Sequence, residues 1–334
     1  MLKRQTGTGT SQRHFYSASP AWSPKSASFY FDGINGRGVF NKIGFNSISS
    51  MIAAGKITFS RAASGLYLPT NGTYTSFASG AVRIGDKGLL IEPARTNQIL
   101  SANNFNTTWI KNQCTVSAGT VSIGAFSLST ITRSGAVFAA TTQTKTLVNG
   151  TTYRYSTYVK RKDGGTQWFG VYNNTAADWQ SRVQVVWNGN GTMASFGIPG
   201  GVNFDAATAL VAELIGNGVY RISYSAVYTG LNTDTLSIQI QVNRDADLTG
   251  NYAGAVQIEV ASSTSSFIDT TTTAVTRDAD VFTLFPAVGT YDITVTFDDD
   301  STQVLAGQVI TGSGWAIPTN LNRPYIKSIK GVVA

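Results

Sequence analysis

The chain has a single cysteine, Cys114, and a single histidine, His14. One thiol excludes an intrachain disulfide, so the core must hold without a covalent staple. One histidine, set in a polar N-terminal stretch, excludes a Ser-His-Asp triad in the body of the chain and any His-rich metal cluster. Charge is scarce too: charged residues make up 13% of 334, with only 18 acids. Glycoside hydrolysis needs two carboxyl groups about 5 to 9.5 Å apart. Glu213, Glu259, Asp278 and Asp280 are candidates, and nothing in their spacing pairs them. Asp298, Asp299 and Asp300 offer a calcium reading, but a run of three acids after an alternating strand reads first as a solvated hairpin turn. "GTGT" and "NGNGT" lack the strand and helix that frame a phosphate loop. No apolar run nears the roughly 18 residues that span a bilayer, and the basic opening "MLKRQTGTGTSQ" has no apolar stretch behind it to make a secretory signal. These absences predict a protein that is not an enzyme, has no cofactor or metal, and does not insert into a membrane.

What is present is Thr, Ser, Gly, Val, Tyr and Asn, with few helix formers. β-Branched and aromatic residues suit a pleated, half-buried surface, and Gly and Asn suit its turns. The fold class is therefore all-β. Residues 1–28 lack periodicity and read as an extended arm. Residues 29–96 read as a lead-in of short strands with one small helix, "NSISSMIAAG", capped by Asn46 or Ser47 and stopped by Gly55. Residues 97–280 form a long series of strands separated by Gly/Asn/Asp turns, which argues for a sandwich or jelly roll. Within it, "LSIQIQVN" places Leu236, Ile238, Ile240 and Val242 on one face and Ser237, Gln239, Gln241 and Asn243 on the other. Residues 281–334 read as a small C-terminal β domain, with Tyr291, Ile293, Val295 and Phe297 on its buried face.

The net charge of +7 invites a nucleic-acid reading. Lys and Arg are scattered, however, with no basic helix, aromatic RNA-binding strand or zinc spacing, so no nucleic-acid partner is expected. The asymmetry lies at the start, where Lys3, Arg4, Arg13 and Lys25 precede the first acid. They make either a solvated tail or an arm that docks on an acidic partner surface.

Three blocks, "ITFSRAASGLYLPTNG", "GLLIEPARTNQILSANNFNTTWIK" and "AVQIEVASSTSSFIDTTTTAVTRDADVF", resemble a pattern that recurs in tailed-bacteriophage and prophage virion surface proteins. Those are fibre, head-spike and appendage proteins carrying a jelly roll like a carbohydrate-binding module. The closing "GWAIPTNLNRPYIKSI" is similar to the end segment of many of them, and the likeness runs from about residue 45 onward. It implies a virion-surface protein made in the host cytoplasm, a homotrimer, with capsid, collar or tail proteins as partners and host-surface polysaccharide as a possible ligand. Two further readings stay open. One is a purely structural capsid-decoration, collar or fibre-base protein anchored by its arm; the other is a polysaccharide depolymerase.

Sugars present flat C–H patches that aromatic faces cover, while amides and arginine satisfy the surrounding hydroxyls. Trp168, Tyr172, Trp179, Arg182, Gln184, Gln239, Gln241 and Asn243 are the candidate glycan contacts. Trp109 reads as core, as do Tyr220, Ile222, Tyr224 and Tyr228. Within "GLLIEPARTNQIL" the charges Glu92 and Arg95 interrupt an apolar run. They read as a structural ion pair that pins the lead-in to the strand-rich region, in preference to an acid with a tuned pKa.

Overall fold

The computed structural model describes residues 20–124, 126–134, 139–198, 207–242 and 251–334. Over these the protein is all-β, and the only helix among them is Ile48–Ala53. The arm residues Lys3, Arg4 and Arg13, and the candidate Asn243, lie outside the described residues. Lys25 is exposed just ahead of the first strand.

Residues 97–280 build two six-stranded antiparallel sheets. One runs, edge to edge, through Ile110–Asn112, Ala139–Lys145, Leu236–Val242, Gly165–Asn173, Asp178–Trp187 and Met193–Gly197. The other runs through Cys114–Ser122, Ser127–Arg133, Asn251–Val260, Thr152–Arg161, Val219–Val227 and Thr208–Gly216. Strands adjacent in sequence often belong to different sheets, so the chain passes repeatedly between the layers. Alternation decides which side chains meet in the middle. Leu236, Ile238, Ile240 and Val242 are fully buried while Gln239 and Gln241 between them stay partly exposed. Phe169 and Val171 join them from the next strand, and Tyr155, Ile222, Tyr224 and Ile258 close the core from the opposite sheet. The layers touch directly: the Phe169 and Tyr224 rings are 5.9 Å apart, and the Ser181 and Tyr224 hydroxyls are 3.1 Å apart. Each such aliphatic side chain contributes about 1.5–3 kcal/mol on burial. Trp109 and Tyr228 are buried here as the sequence implied, whereas Tyr220 packs only partly, against Trp187.

The lead-in and the C-terminal residues, separate in the sequence reading, share one core. Phe29–Asp32 pairs with Tyr325–Val333, and Gly289–Phe297 and Thr302–Ile310 extend the same sheet. Beneath it, Ile57–Ser60 pairs with Val281–Leu284. Phe29, Phe31, Phe40, Met51 and Leu89 thus pack with Phe282, Ile293, Val295, Phe297 and Ile329. Periodicity marks each strand and its face, but it is local and cannot name a partner almost the whole chain away. The helix follows its expected signals: Ser47 caps it in a reciprocal box with Ser50, Met51 is buried, and Gly55 leaves it with φ +64°.

The Asn71-Gly72 turn lays the lead-in against the sheet pair. A Cβ on Gly72 would stand 1.0 Å from the Ile215 carbonyl oxygen, and its φ is +77°. Only glycine lets backbone approach backbone there.

Candidate ligand groove

The face of the Gly165–Asn173 sheet turned away from the core carries a groove of about 430 Å³. Strand register builds it in rows. Trp168 stands between Gln241 and Gln184, Gly170 between Gln239 and Arg182, and Tyr172 between Ser237 and Trp179. Simple alternation would put Trp179 and Arg182 on opposite faces. An irregularity at Gln180 changes the parity, because Val171 pairs with Ser181 while Tyr172 pairs with Trp179. One extra residue in one strand re-aims a side chain in this way.

Gly170 lets the neighbouring strand come close where Arg182 leaves it. A Cβ there would lie 2.4 Å from the Ser181 carbonyl oxygen and 2.9 Å from the Arg182 Cα. The Arg182 guanidinium lies 3.8 Å from the Trp168 ring centre and 4.9 Å from that of Trp179. Trp179 in turn meets Tyr172 edge to face at 5.3 Å. Stacking fixes the plane of the guanidinium, so its in-plane N–H edge is directional. The amides are ordered as well: Gln241 Nε2 donates to Gln239 Oε1 at 3.0 Å, and Asn174 Nδ2 to Ser237 Oγ at 2.7 Å. Among the described residues that line it, none is acidic. The groove therefore offers aromatic surface, a stacked guanidinium and amides, which suits a neutral or acidic polyhydroxylated ligand.

Six of the sequence candidates, Trp168, Tyr172, Trp179, Arg182, Gln239 and Gln241, line this one groove. Gln184 is half-buried in the same row, beside Trp168, but is not part of the lining. Asn112, Thr142 and Asn174 also line the groove and were not anticipated. Asn174 extends the parity of Trp168 and Tyr172 and was legible in principle. Thr142 and Asn112 arrive through long-range pairing, of which the sequence carries no sign.

The Glu92–Arg95 pair is not formed, which corrects the sequence reading. In an extended segment, residues three apart point to opposite faces. Glu92 is buried and takes Arg83 at 2.6 Å and Arg277 at 3.1 Å. Arg95 is partly exposed, with Nε 3.8 Å from Glu259. Asp280 binds both Arg83 and Arg61, and Ser266 donates its backbone N–H and its hydroxyl to Glu92. These groups form a polar layer between the two cores. Burial alone would raise the Glu92 carboxyl, but Arg277, Arg83 and the Ser266 hydrogen bonds outweigh it and hold the group down at about 2.

The remaining candidate acids lie apart from the groove. Glu213 is half exposed near Lys87, and Glu259 is buried against Gln257 and Ser265. Asp298, Asp299 and Asp300 form a hairpin turn held by Arg323 and Lys327. Among the described residues no group of three or more His, Cys, Asp or Glu is placed to hold a metal ion, and no helix is long and apolar enough to cross a membrane. Comparison with protein-family models and with curated proteins finds no match for the chain.

Proposed function

We propose that this chain is a non-enzymatic virion-surface protein of a tailed bacteriophage, whose jelly roll engages host-surface polysaccharide through the Trp168–Trp179 groove. One observation carries the reading: six residues nominated by their chemistry for sugar contact, from three separate strands, converge on one groove. The block order of the sequence supports the phage assignment, and the repeated passage of the chain between two antiparallel sheets supports the jelly roll.

The Arg182 guanidinium covers one face of Trp168, so a sugar ring would stack on the remaining aromatic surface. The guanidinium edge and the Gln239 and Gln241 amides would then meet its hydroxyls. Such shallow sites bind weakly one at a time, and a homotrimer repeated over a particle would supply avidity. Capsid, collar or tail proteins would hold it there, with the basic arm as the docking element.

Purified protein titrated against host-surface polysaccharide tests the reading. Binding should be saturable, and Trp168→Ala or Trp179→Ala should weaken it about tenfold or more while the fold persists, because lost aromatic contacts cost on the order of 1–3 kcal/mol each. Absence of binding, or binding indifferent to both substitutions, would overturn it.

A further inference from the structure

The polar layer between the two cores is short of negative charge. Among its described residues, five buried arginines (Arg61, Arg83, Arg154, Arg221 and Arg277) meet three buried carboxylates, Glu92, Glu259 and Asp280. Glu92 and Asp280 are committed to Arg61, Arg83 and Arg277. Glu259 stands opposite Arg154 in register, yet its carboxylate turns to Ser265 and Gln257. The deficit falls on Arg154 and Arg221.

Both project from the outer face of the Thr152–Arg161 sheet, together with Ser223. Among the described residues Arg154 donates only to neutral partners: the hydroxyls of Thr264, Ser223 and Ser225 and the Ala209 carbonyl. Arg221 donates from Nη2 to Ser156 and to the Ser265 carbonyl. Among the described residues its buried Nε has no hydrogen-bond partner, and its hydrogen bonds run from Nη2 alone. Burial, with Arg221 nearby, drags Arg154 down to about 10. No carboxylate of a described residue pairs directly with either guanidinium; Glu259 and Glu213 act on Arg221 only through space and help to raise it despite its burial, and keeping such ions out of water without a direct partner is costly.

The two arginines line a cavity of about 330 Å³ with the serine-rich loop at residues 262–266; Tyr74 and Tyr325 form part of its walls, and two carboxylates also line it, Glu213 and Glu92, the latter already held by Arg83 and Arg277. It sits where the two cores meet, and hydroxyls and guanidinium groups together match the geometry of an oxyanion. Glu213 stands at the edge, near Lys87.

We propose that this cavity is an oxyanion-binding site, in which Arg154, Arg221 and the 262–266 loop hold a sulfate, a phosphate or the carboxylate of an acidic sugar. It is distinct from the Trp168 groove and does not depend on the reading given to that groove.

Isothermal titration of the full-length protein with sulfate, phosphate and glucuronate, at constant ionic strength in chloride and with glucose as neutral reference, tests it. At least one oxyanion should bind saturably while chloride and glucose stay silent. Response to glucuronate identifies a sugar-borne carboxylate, and response to sulfate or phosphate alone identifies a free tetrahedral anion. Arg221→Lys should weaken binding about tenfold, the loss of one charge-assisted hydrogen bond. Glu213→Gln changes a half-exposed side chain, is expected to fold normally, and should tighten binding about threefold by removing a like charge at the edge. Trp168→Ala should leave it unchanged. The proposal is overturned if no oxyanion binds the folded protein, if binding ignores both Arg221→Lys and Glu213→Gln, or if Trp168→Ala abolishes it.

Discussion

Glu92 shows at the scale of one residue how a buried charge becomes a structural device. Its carboxylate is out of water, so only the two arginines and Ser266 keep it ionised. Glu92→Gln preserves the shape but leaves Arg83 and Arg277 facing each other across a neutral amide, and breaking a buried pair in this way costs about 3–5 kcal/mol. The native group is held at about 2, below its ordinary 4.5. Its stabilisation is therefore complete above 4.5 and is lost as pH falls toward 2, an effect of about 3 kcal/mol. Urea unfolding at pH 5 and pH 2.5 checks this: the native protein should lose more stability between the two than the Gln variant does. Equal losses would mean that the fold does not depress the Glu92 pKa, and a smaller loss in the native protein would mean that Glu92 is neutral in the fold. The sequence flagged Glu92 as a joint because a charge broke an apolar run. It offered Arg95 as partner because proximity along the chain was the only distance available.

At the scale of elements, what the sequence disclosed was alternation and turn chemistry, and these located strands well. The Leu236–Val242 faces, the Ser47 cap and the Asn71-Gly72 and Asn217-Gly218 turns all follow from local rules. Hidden were the events that depend on two strands at once: the irregularity at Gln180, and the close approach of Gly170 to the Ser181–Arg182 backbone. Gly170 therefore makes a direct test of the groove. In Gly170→Val the new Cβ would meet the Ser181 carbonyl oxygen and the Arg182 Cα at 2.4 and 2.9 Å, distances real Cβ atoms essentially never show. Either the strands spread or Arg182 leaves its place between the indoles, and overpacking of this kind costs about 1–3 kcal/mol. Tryptophan fluorescence should shift as the guanidinium departs, and thermal unfolding should show the destabilisation. A variant with native fluorescence and stability would show that Gly170 does not create the Arg182 site.

At the scale of the whole molecule, the decisive feature is that the chain's two flanks fold together around a sheet pair inserted between them. Residues 29–96 contribute Phe29, Phe31, Phe40 and Leu89 to a core whose other half comes from residues 281–334. Each flank reads as a separate unit by composition, yet the buried side chains of both pack into this one core. Removing residues 281–334 strips the Tyr325–Val333 strand from Phe29–Asp32, and with it the Ile293, Val295, Phe297 and Ile329 side chains. The paired sheets at 97–280 keep their own core, apart from the Leu68 and Tyr74 contacts supplied by the lead-in. The truncated chain should therefore bind a hydrophobic dye such as ANS, a mark of exposed apolar surface, and should be cut by protease within residues 29–67 while the two six-stranded sheets stay protected. The full-length protein should do neither. If the truncated chain resists protease over residues 29–67 and leaves the dye unbound, the lead-in folds without its C-terminal partner, and the shared core is a contact between two independent units.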